Sequence, residues 1–223
     1  MTVTTRSSEE IKKDIVDQLY WDSRIDASNV KVEVSDKKVT LTGRVHSYTA
    51  KLAAETDTLT ISEVVSVKNN LEIQYPIGVK LPRDVDIQGN IVNNLIWNTN
   101  IDSANINVSV DKGVVTLEGS VASYWQKILA EDLTYDMTGV LSTVNKLSVV
   151  PTENIIDESI AKAIIASLDR NPNIDVDSVN VKVEEGVITL SGNAPNWAAY
   201  YDALNSARHT VGVINVINNL VIE

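Results

Sequence analysis

The sequence contains the same segment three times. Shifting the 223-residue chain by 76 residues, and then by a further 73, aligns it with itself without gaps from the first predicted helix to the last predicted strand. The strings KVTLTGRVHSYT, VVTLEGSVASYW and VITLSGNAPNWA begin at Lys38, Val114 and Val187 and fall at equivalent positions. Self-similarity of this period is typical of a tandem array of one small unit. The repeat therefore predicts three domains, over residues 5–75, 82–150 and 154–223.

Each unit has the same order of predicted elements. Apolar residues four positions apart form one stripe of a first helix, at Ile11, Ile15 and Leu19 and at their equivalents in the other two units. Two alternating strands joined by a tight turn follow, and then a second helix and a last apolar strand. The order helix–strand–strand–helix–strand predicts an α+β fold. We expect the first helices to be capped by Ser8, Asp84 and Asp157, and the second helices to begin near Ser47, Ser123 and Asn196.

Glycines recur at equivalent positions in the units. Gly113 and Gly186 suit hairpin turns that need a positive φ, and Gly139 and Gly212 suit the position just after a helix. Three further glycines inside the second strands predict a close approach of a helix to the sheet, at Gly43, Gly119 and Gly192. The first unit has Lys37 and Glu63 where the others have glycine, which predicts strained or altered turns there.

Composition excludes several classes of function. The chain has no cysteine, so thiol catalysis, disulfides and cysteine-based zinc sites are impossible. Its formal charge of −11 is unfavourable for phosphate backbones, so we expect no nucleic-acid partner. No apolar run reaches the about 18 residues of a membrane span. The amino-terminal residues lack the apolar segment of a signal peptide, which predicts a cytoplasmic protein, with the periplasm as the alternative if a signal has been removed.

No motif indicates an enzyme, a cofactor or a metal site. The two histidines, His46 and His209, occupy non-equivalent positions, and the units share no repeat-consistent pair of acid, base or nucleophile. The string NPNIDVDS alternates oxygen ligands as a calcium loop does, but Val176 and Lys182 stand where such a loop needs glycine and glutamate. We interpret it as a structural turn around a buried apolar residue, at Ile25, Ile101 and Ile174 in the three units.

Aromatic residues at helix ends are the candidates for a binding site. They are predicted near the end of the first helix or the start of the second, at Trp21, Trp97, Tyr124, Trp125 and Trp197. Their rings combine an apolar body with a polar atom and suit a ligand, a partner or a membrane interface. The alternative, which we favour from the sequence alone, is that they complete small cores in a chain without phenylalanine or pack between domains.

The hairpin that ends in V-T-L-x-G-x-V and the closing G-V-x-x-V-x-N-x-L, from Gly139 to Leu147 and from Gly212 to Leu220, resemble the BON (OsmY-like) domain family. The resemblance covers nearly the whole chain in three copies. It implies two helices packed on one face of a small three-stranded sheet in each copy. It also implies a bacterial protein linked to osmotic stress or the cell envelope, without catalytic residues.

The resemblance leaves two predictions about function. One is a non-catalytic protein that binds phospholipid, a membrane surface or another ligand. The alternative is a protein-interaction scaffold with no lipid role, in which tandem domains add avidity.

Overall fold

The computed structural model describes residues 6–222, and they form three copies of one α+β arrangement. Contacts divide the chain into two compact units: unit 1 is the chain up to Pro82 with Thr138–Leu141, and unit 2 is Arg83–Met137 with the chain from Ser142 onward. The helices are α1 (Ser8–Trp21), α2 (Tyr48–Leu59), α3 (Asp84–Trp97), α4 (Tyr124–Tyr135), α5 (Asp157–Asp169) and α6 (Trp197–Arg208). The strands are β1 (Val30–Ser35), β2 (Lys38–Val45), β3 (Ser66–Ile73), β4 (Ile106–Asp111), β5 (Val114–Val121), β6 (Ser142–Val149), β7 (Val179–Glu184), β8 (Val187–Ala194) and β9 (Asn215–Ile222).

Each domain has one three-stranded sheet with the second strand in the middle. The first two strands pair antiparallel, as a tight hairpin requires. The second and third strands pair parallel, because the second helix carries the chain back across the sheet between them. The register is the same in all three sheets: Val30, Ile106 and Val179 each pair with a glycine of the middle strand.

The predicted apolar stripe of the first helix forms the centre of each core. In the third domain Ile160, Ile164 and Leu168 are fully buried against Ile188 and Leu190 of the middle strand. Alanines on the second helix complete this core, at Ala203 and Ala207. The other sheet face carries polar side chains together with exposed Val144, Ile217 and Val221. The structure therefore confirms two helices on one face of each sheet.

The predicted caps of the first helix are wrong by one residue. The N-cap residues are Ser7, Arg83 and Ile156, and Ser8, Asp84 and Asp157 are the first helical residues. The two aspartates instead accept hydrogen bonds from the hairpin turn of their own domain. Asp84 accepts from the amides of Lys112 and Gly113 at 2.7 and 3.0 Å, and Asp157 from those of Glu185 and Gly186 at 2.8 and 2.9 Å. The second helices begin as predicted, after Ser47, Ser123 and Asn196.

The hairpin turns have the predicted positive φ angles, and the first domain keeps them without glycine. Lys37 has φ 64° where Gly113 and Gly186 have 76° and 74°. Glu63 has φ 71° where Gly139 and Gly212 have 96° and 87°. The turns of the first domain are therefore strained rather than altered. The prediction that Gly139 and Gly212 directly follow a helix is wrong, because each lies three residues beyond its C-cap residue.

The glycines of the middle strands do sit at close approaches, but the neighbour is not a helix. A Cβ at Gly43, Gly119 or Gly192 would lie 1.9, 1.9 or 2.1 Å from a carbonyl oxygen, which belongs to Asn29, Asn105 or Ser178. That carbonyl precedes the first strand of the same hairpin. The predicted neighbour is therefore corrected from a helix to the entry of the paired strand.

Polar contacts between the two helices differ from domain to domain. In the first domain Arg24, just after α1, lies 3.5 Å from the carboxylate of Asp57 on α2. In the second, the amide nitrogen of Asn94 donates to the carbonyl of Leu133 at 3.1 Å. In the third, the amide nitrogen of Asn171 donates to Asp202 at 2.9 Å. The cores share one apolar pattern, whereas the residue types that form these polar contacts differ among the domains.

Candidate functional site

Trp21 and Trp97 are exposed at the ends of α1 and α3. Their exposed fractions are 82% and 83%, and their neighbours Tyr20 and Ile96 are exposed as well. Burial of a whole indole would stabilise the fold by about 4 kcal/mol, and neither tryptophan gains this from its domain. The interpretation of these two residues as core is therefore wrong. The equivalent residue of the third domain is Arg170, so the exposed tryptophan belongs to two domains of three.

The two tryptophans differ in the charge of their surroundings. Next to Trp21, Arg24 binds Asp22 with a shortest nitrogen–oxygen distance of 2.5 Å, and this hydrogen bond holds the pKa of Asp22 well below its usual range. Trp97 is followed by uncharged Asn98. Trp97 therefore projects from a locally uncharged part of an acidic protein, whereas beside Trp21 one arginine is shared by Asp22 and Asp57.

One buried carboxyl lies close to this end of the first domain. Asp57 is buried, and its pKa is raised by burial and then by the neighbouring Asp22. Two carboxyls with pKa values pushed apart can act as acid and base. Here, however, Arg24 contacts both of them, and the equivalents of Asp57 are Leu133 and Ser206. We interpret the group as an ion cluster that joins α1 to α2.

Tyr124 and Trp125 begin α4 and have different environments. Tyr124 packs against the core of the third domain, and burial raises its pKa, which Arg208 partly offsets. Packing between domains, the alternative interpretation, is thus confirmed for Tyr124. Trp125 lines a cavity of about 500 Å³ in unit 2, together with Pro151, which follows β6, and with Arg208 and other residues of the third domain.

Trp197 forms an aromatic cluster of its own. Its ring meets Tyr200 edge to face at a centroid distance of 4.8 Å and lies 5.8 Å from Tyr201. The side chain is partly buried at the first residue of α6. The five predicted aromatic residues therefore occupy separate environments: exposed helix ends, an interdomain contact with the neighbouring cavity, and this cluster.

Sequence reasoning missed the cavity beside Trp125. Its lining includes Arg208 and His209, and their equivalents in the second domain are Tyr135 and Asp136. An arginine followed by a histidine is thus peculiar to this place in the repeat. The sequence feature that could have indicated this site is the departure from the repeat at Arg208 and His209. The repeated motifs indicate only what the three copies share.

The histidines and the NPNIDVDS string have structural partners. His46 contacts the carbonyl of Gln74 at 3.0 Å and Asp26 at 3.1 Å, and the two contacts, in that order of size, raise its pKa. Asp175 caps a short 3₁₀ turn by accepting from the amide of Asp177. Ile25 and Ile101 are buried as predicted, while Ile174 is only partly buried.

Over residues 6–222 the structure contains no group of three metal-binding acidic or histidine side chains. Within the same range, no helix combines the length and apolar character needed to cross a membrane.

Comparison with known proteins establishes the family. The model of the BON domain matches three times, over residues 7–75, 83–151 and 156–223. The chain is a BON-domain protein. This match, with the three sheets and their helix pairs, confirms the predicted family and fold class.

Comparison with individual proteins also finds similarities. Osmotically-inducible protein Y of Escherichia coli (strain K12) is 31% identical over 132 residues, which cover 56% of this chain and 66% of that protein, just under two thirds of its length. Two solved structures also match. A structure of CdsD, a structural protein of the type III secretion system of Chlamydia trachomatis, is 18% identical with a TM-score of 0.28, over 96% of this chain and 92% of that one. The C-terminal domain of CdsD is 17% identical with a TM-score of 0.27, over 98% of this chain and all of the other.

Proposed function

We propose that this BON-domain protein is a non-catalytic binding protein that attaches to phospholipid surfaces through Trp21 and Trp97. The observation that carries the proposal is the equivalent exposure of the two indoles, 82% and 83%, at the ends of α1 and α3. The similarity to Osmotically-inducible protein Y supports a role under osmotic stress.

The chemistry of the indole favours the boundary between lipid and water. Its ring is apolar and its N–H donates one hydrogen bond, so tryptophan is enriched where one end of a side chain is dry and the other wet. Tyr20 lies edge to face against Trp21, with ring centroids 5.4 Å apart, and widens the first apolar tip. Ile96, 61% exposed, does the same beside Trp97.

Charge selects among lipids. The chain carries a net charge of −11, so anionic headgroups repel it at long range. Apolar contact of the two tips is therefore the attraction, and nearby carboxylates oppose it less at Trp97 than at Trp21. We therefore expect binding to zwitterionic phosphatidylcholine to exceed binding to anionic phosphatidylglycerol at low salt, with the difference shrinking as salt screens the repulsion.

The test is flotation with vesicles of phosphatidylcholine, with and without phosphatidylglycerol, together with tryptophan fluorescence. We expect the wild-type chain to float and its emission to shift to the blue. Trp21→Ser and Trp97→Ser should each weaken binding about tenfold, because each removes one buried indole. Arg170→Trp, which supplies the tip that the third domain lacks, should strengthen it.

Trp197→Phe is the matched control, because this tryptophan is partly buried in its aromatic cluster and should not affect flotation. Absence of flotation at every lipid and salt condition would overturn the lipid proposal and favour the protein-interaction scaffold. Equal loss in Trp197→Phe and Trp97→Ser would show that the exposed tips are not the contact.

A further inference from the structure

The side chain of Tyr75 fills a defined position in unit 1. Tyr75 follows β3 by two residues, and its hydroxyl oxygen accepts a hydrogen bond from the amide of Gly139 at 2.8 Å. The same hydroxyl donates to the carbonyl of Val140 at 3.3 Å. Gly139 is buried and has φ 96°, so its amide is held in a turn that the tyrosine hydroxyl completes.

The repeat places the same turn in unit 2 without the tyrosine. Pro151 is the equivalent of Tyr75, and Gly212 is the equivalent of Gly139, with a similar φ of 87°. Among the described residues the amide of Gly212 has no hydrogen-bond partner. Pro151 and Gly212 both line the cavity of about 500 Å³. Unit 2 therefore has a cavity where unit 1 has a bonded phenol ring.

The walls of this cavity suit an aromatic ring. Trp125, Pro151 and Val211 provide apolar surface on its sides. Its volume lies in the range of about 300–1,000 Å³ that is usual for small-molecule sites. A flat ring against the indole of Trp125 would gain the stacking that aromatic pairs favour.

Arg208 gives this cavity its positive charge. Arg208 and His209 line it, and Glu153 is the acidic residue of the lining and is exposed. The Nε atom of Arg208 is buried without a hydrogen-bond partner among the described residues. In residues 6–222 no carboxylate forms an ion pair with Arg208; Asp132, whose pKa is raised by burial and lowered by Arg208, lies nearby without pairing with it. A guanidinium in this state favours a carboxylate ligand, which it can bind with two hydrogen bonds.

We propose that this cavity binds a small aromatic carboxylic acid that carries a phenol oxygen, of the type of 4-hydroxybenzoate. The phenol oxygen accepts from the amide of Gly212, as the hydroxyl of Tyr75 accepts from Gly139. The ring lies against Trp125, and the carboxylate faces Arg208. This site is separate from the exposed tryptophans, so it stands or falls independently of lipid binding.

The first test is titration of the full chain with 4-hydroxybenzoate, followed by calorimetry and by amide chemical shifts. We expect a dissociation constant of the order of 1 mM, as befits a ligand of this size, and a shifted amide resonance for Gly212. Arg208→Gln should weaken binding at least about tenfold. Arg170→Gln, which removes an arginine that does not line this cavity, is the matched control and should leave binding unchanged.

The second test fills the cavity with a side chain of the protein itself. Pro151→Tyr restores the residue that unit 1 has at this position, and it should abolish ligand binding while raising the melting temperature. No binding by the wild-type chain would overturn the proposal, as would undiminished binding by Pro151→Tyr. Equal affinity for phenol and for 4-hydroxybenzoate would contradict the role given to Arg208, because phenol lacks the carboxylate. Trp125→Leu, which keeps an apolar wall without the indole, should weaken binding.

Discussion

Glu63 and Lys37 show at the level of single residues how the first domain tolerates two turns without glycine. Their side chains form an ion pair with a nitrogen–oxygen distance of 3.1 Å, and Glu63 also accepts from the amide of Arg6 at 3.3 Å. The hydrogen bond from Lys37, and then that from Arg6, lower the pKa of Glu63. The two strained backbones are thus linked by a charged contact that the other domains lack.

Replacement of Glu63 by glycine should raise the melting temperature. Glycine relieves the backbone strain, which usually exceeds the worth of a partly exposed ion pair. At neutral pH we expect a rise of a few degrees, about 2–4 °C. The stability that Glu63 provides through its lowered pKa is present above the unfolded value of 4.5 and is lost as the pH falls through the folded value. The difference in melting temperature between Glu63→Gly and wild type should therefore increase as the pH falls below 4.5.

Glu63→Gln separates charge from backbone in this experiment. It keeps the positive φ and loses the ion pair, so it should melt below wild type at pH 7 and approach wild type in acid. Thermal unfolding followed by circular dichroism measures both variants. A melting temperature of Glu63→Gly as low as that of Glu63→Gln would show that the φ of residue 63 carries no strain.

At the scale of elements, periodicity identified the helices and strands because burial of one face imposes it on the sequence. The cap assignment failed because an aspartate at the first helical residue looks the same in sequence as one at the N-cap. The partners of Asp84 lie 28 and 29 residues further along the chain.

The cavity could not be predicted for a similar reason, since Trp125, Pro151 and Arg208 come from three separate segments. Local patterns report burial, whereas these contacts depend on register and on domain packing.

The hydrogen bonds between the start of α5 and the hairpin turn should stabilise the third domain. Asp157 accepts two backbone hydrogen bonds. A hydrogen bond to a charged group contributes at most about 1.5–3 kcal/mol to stability. We expect Asp157→Ala to lower the free energy of unfolding of the third domain by about 2 kcal/mol in urea denaturation. Asp157→Asn, which keeps one acceptor oxygen, should fall between this variant and wild type.

Glu158 provides the control for the helix dipole, because it occupies the same first turn. Its exposed side chain pairs only with Lys162, four residues on, among the contacts described for it. Glu158→Ala should cost less than about 0.5 kcal/mol. A loss as large as that of Asp157→Ala would attribute the effect to the helix end and not to the hairpin.

For the whole molecule, the two connections between domains differ in exposure. The connection before α3 exposes Ile77, Val79 and Leu81. The connection before α5 partly buries Pro151 and Ile155. Protease cleavage concentrates where backbone is exposed and outside regular structure.

Trypsin should therefore cut the native chain first at Lys80 or Arg83, both exposed in or next to the first connection. The expected early products are one fragment that ends in this segment and one that contains the rest of the chain, and mass spectrometry identifies them. The double variant Lys80→Gln/Arg83→Gln is the control and should be cut more slowly. A first cut at Arg170, exposed after α5, would contradict the prediction.

The unlike polar contacts between helices have a consequence for the fidelity of folding. Three neighbouring copies with one apolar pattern can exchange equivalent helices while the chain folds. If α1 took the place of α5, Asp22 would stand where Asn171 now donates to Asp202, and two carboxylates would meet. Like charges in contact disfavour that mispairing. The contact of Asn171 with Asp202 thus helps the third sheet to distinguish α5 from α1.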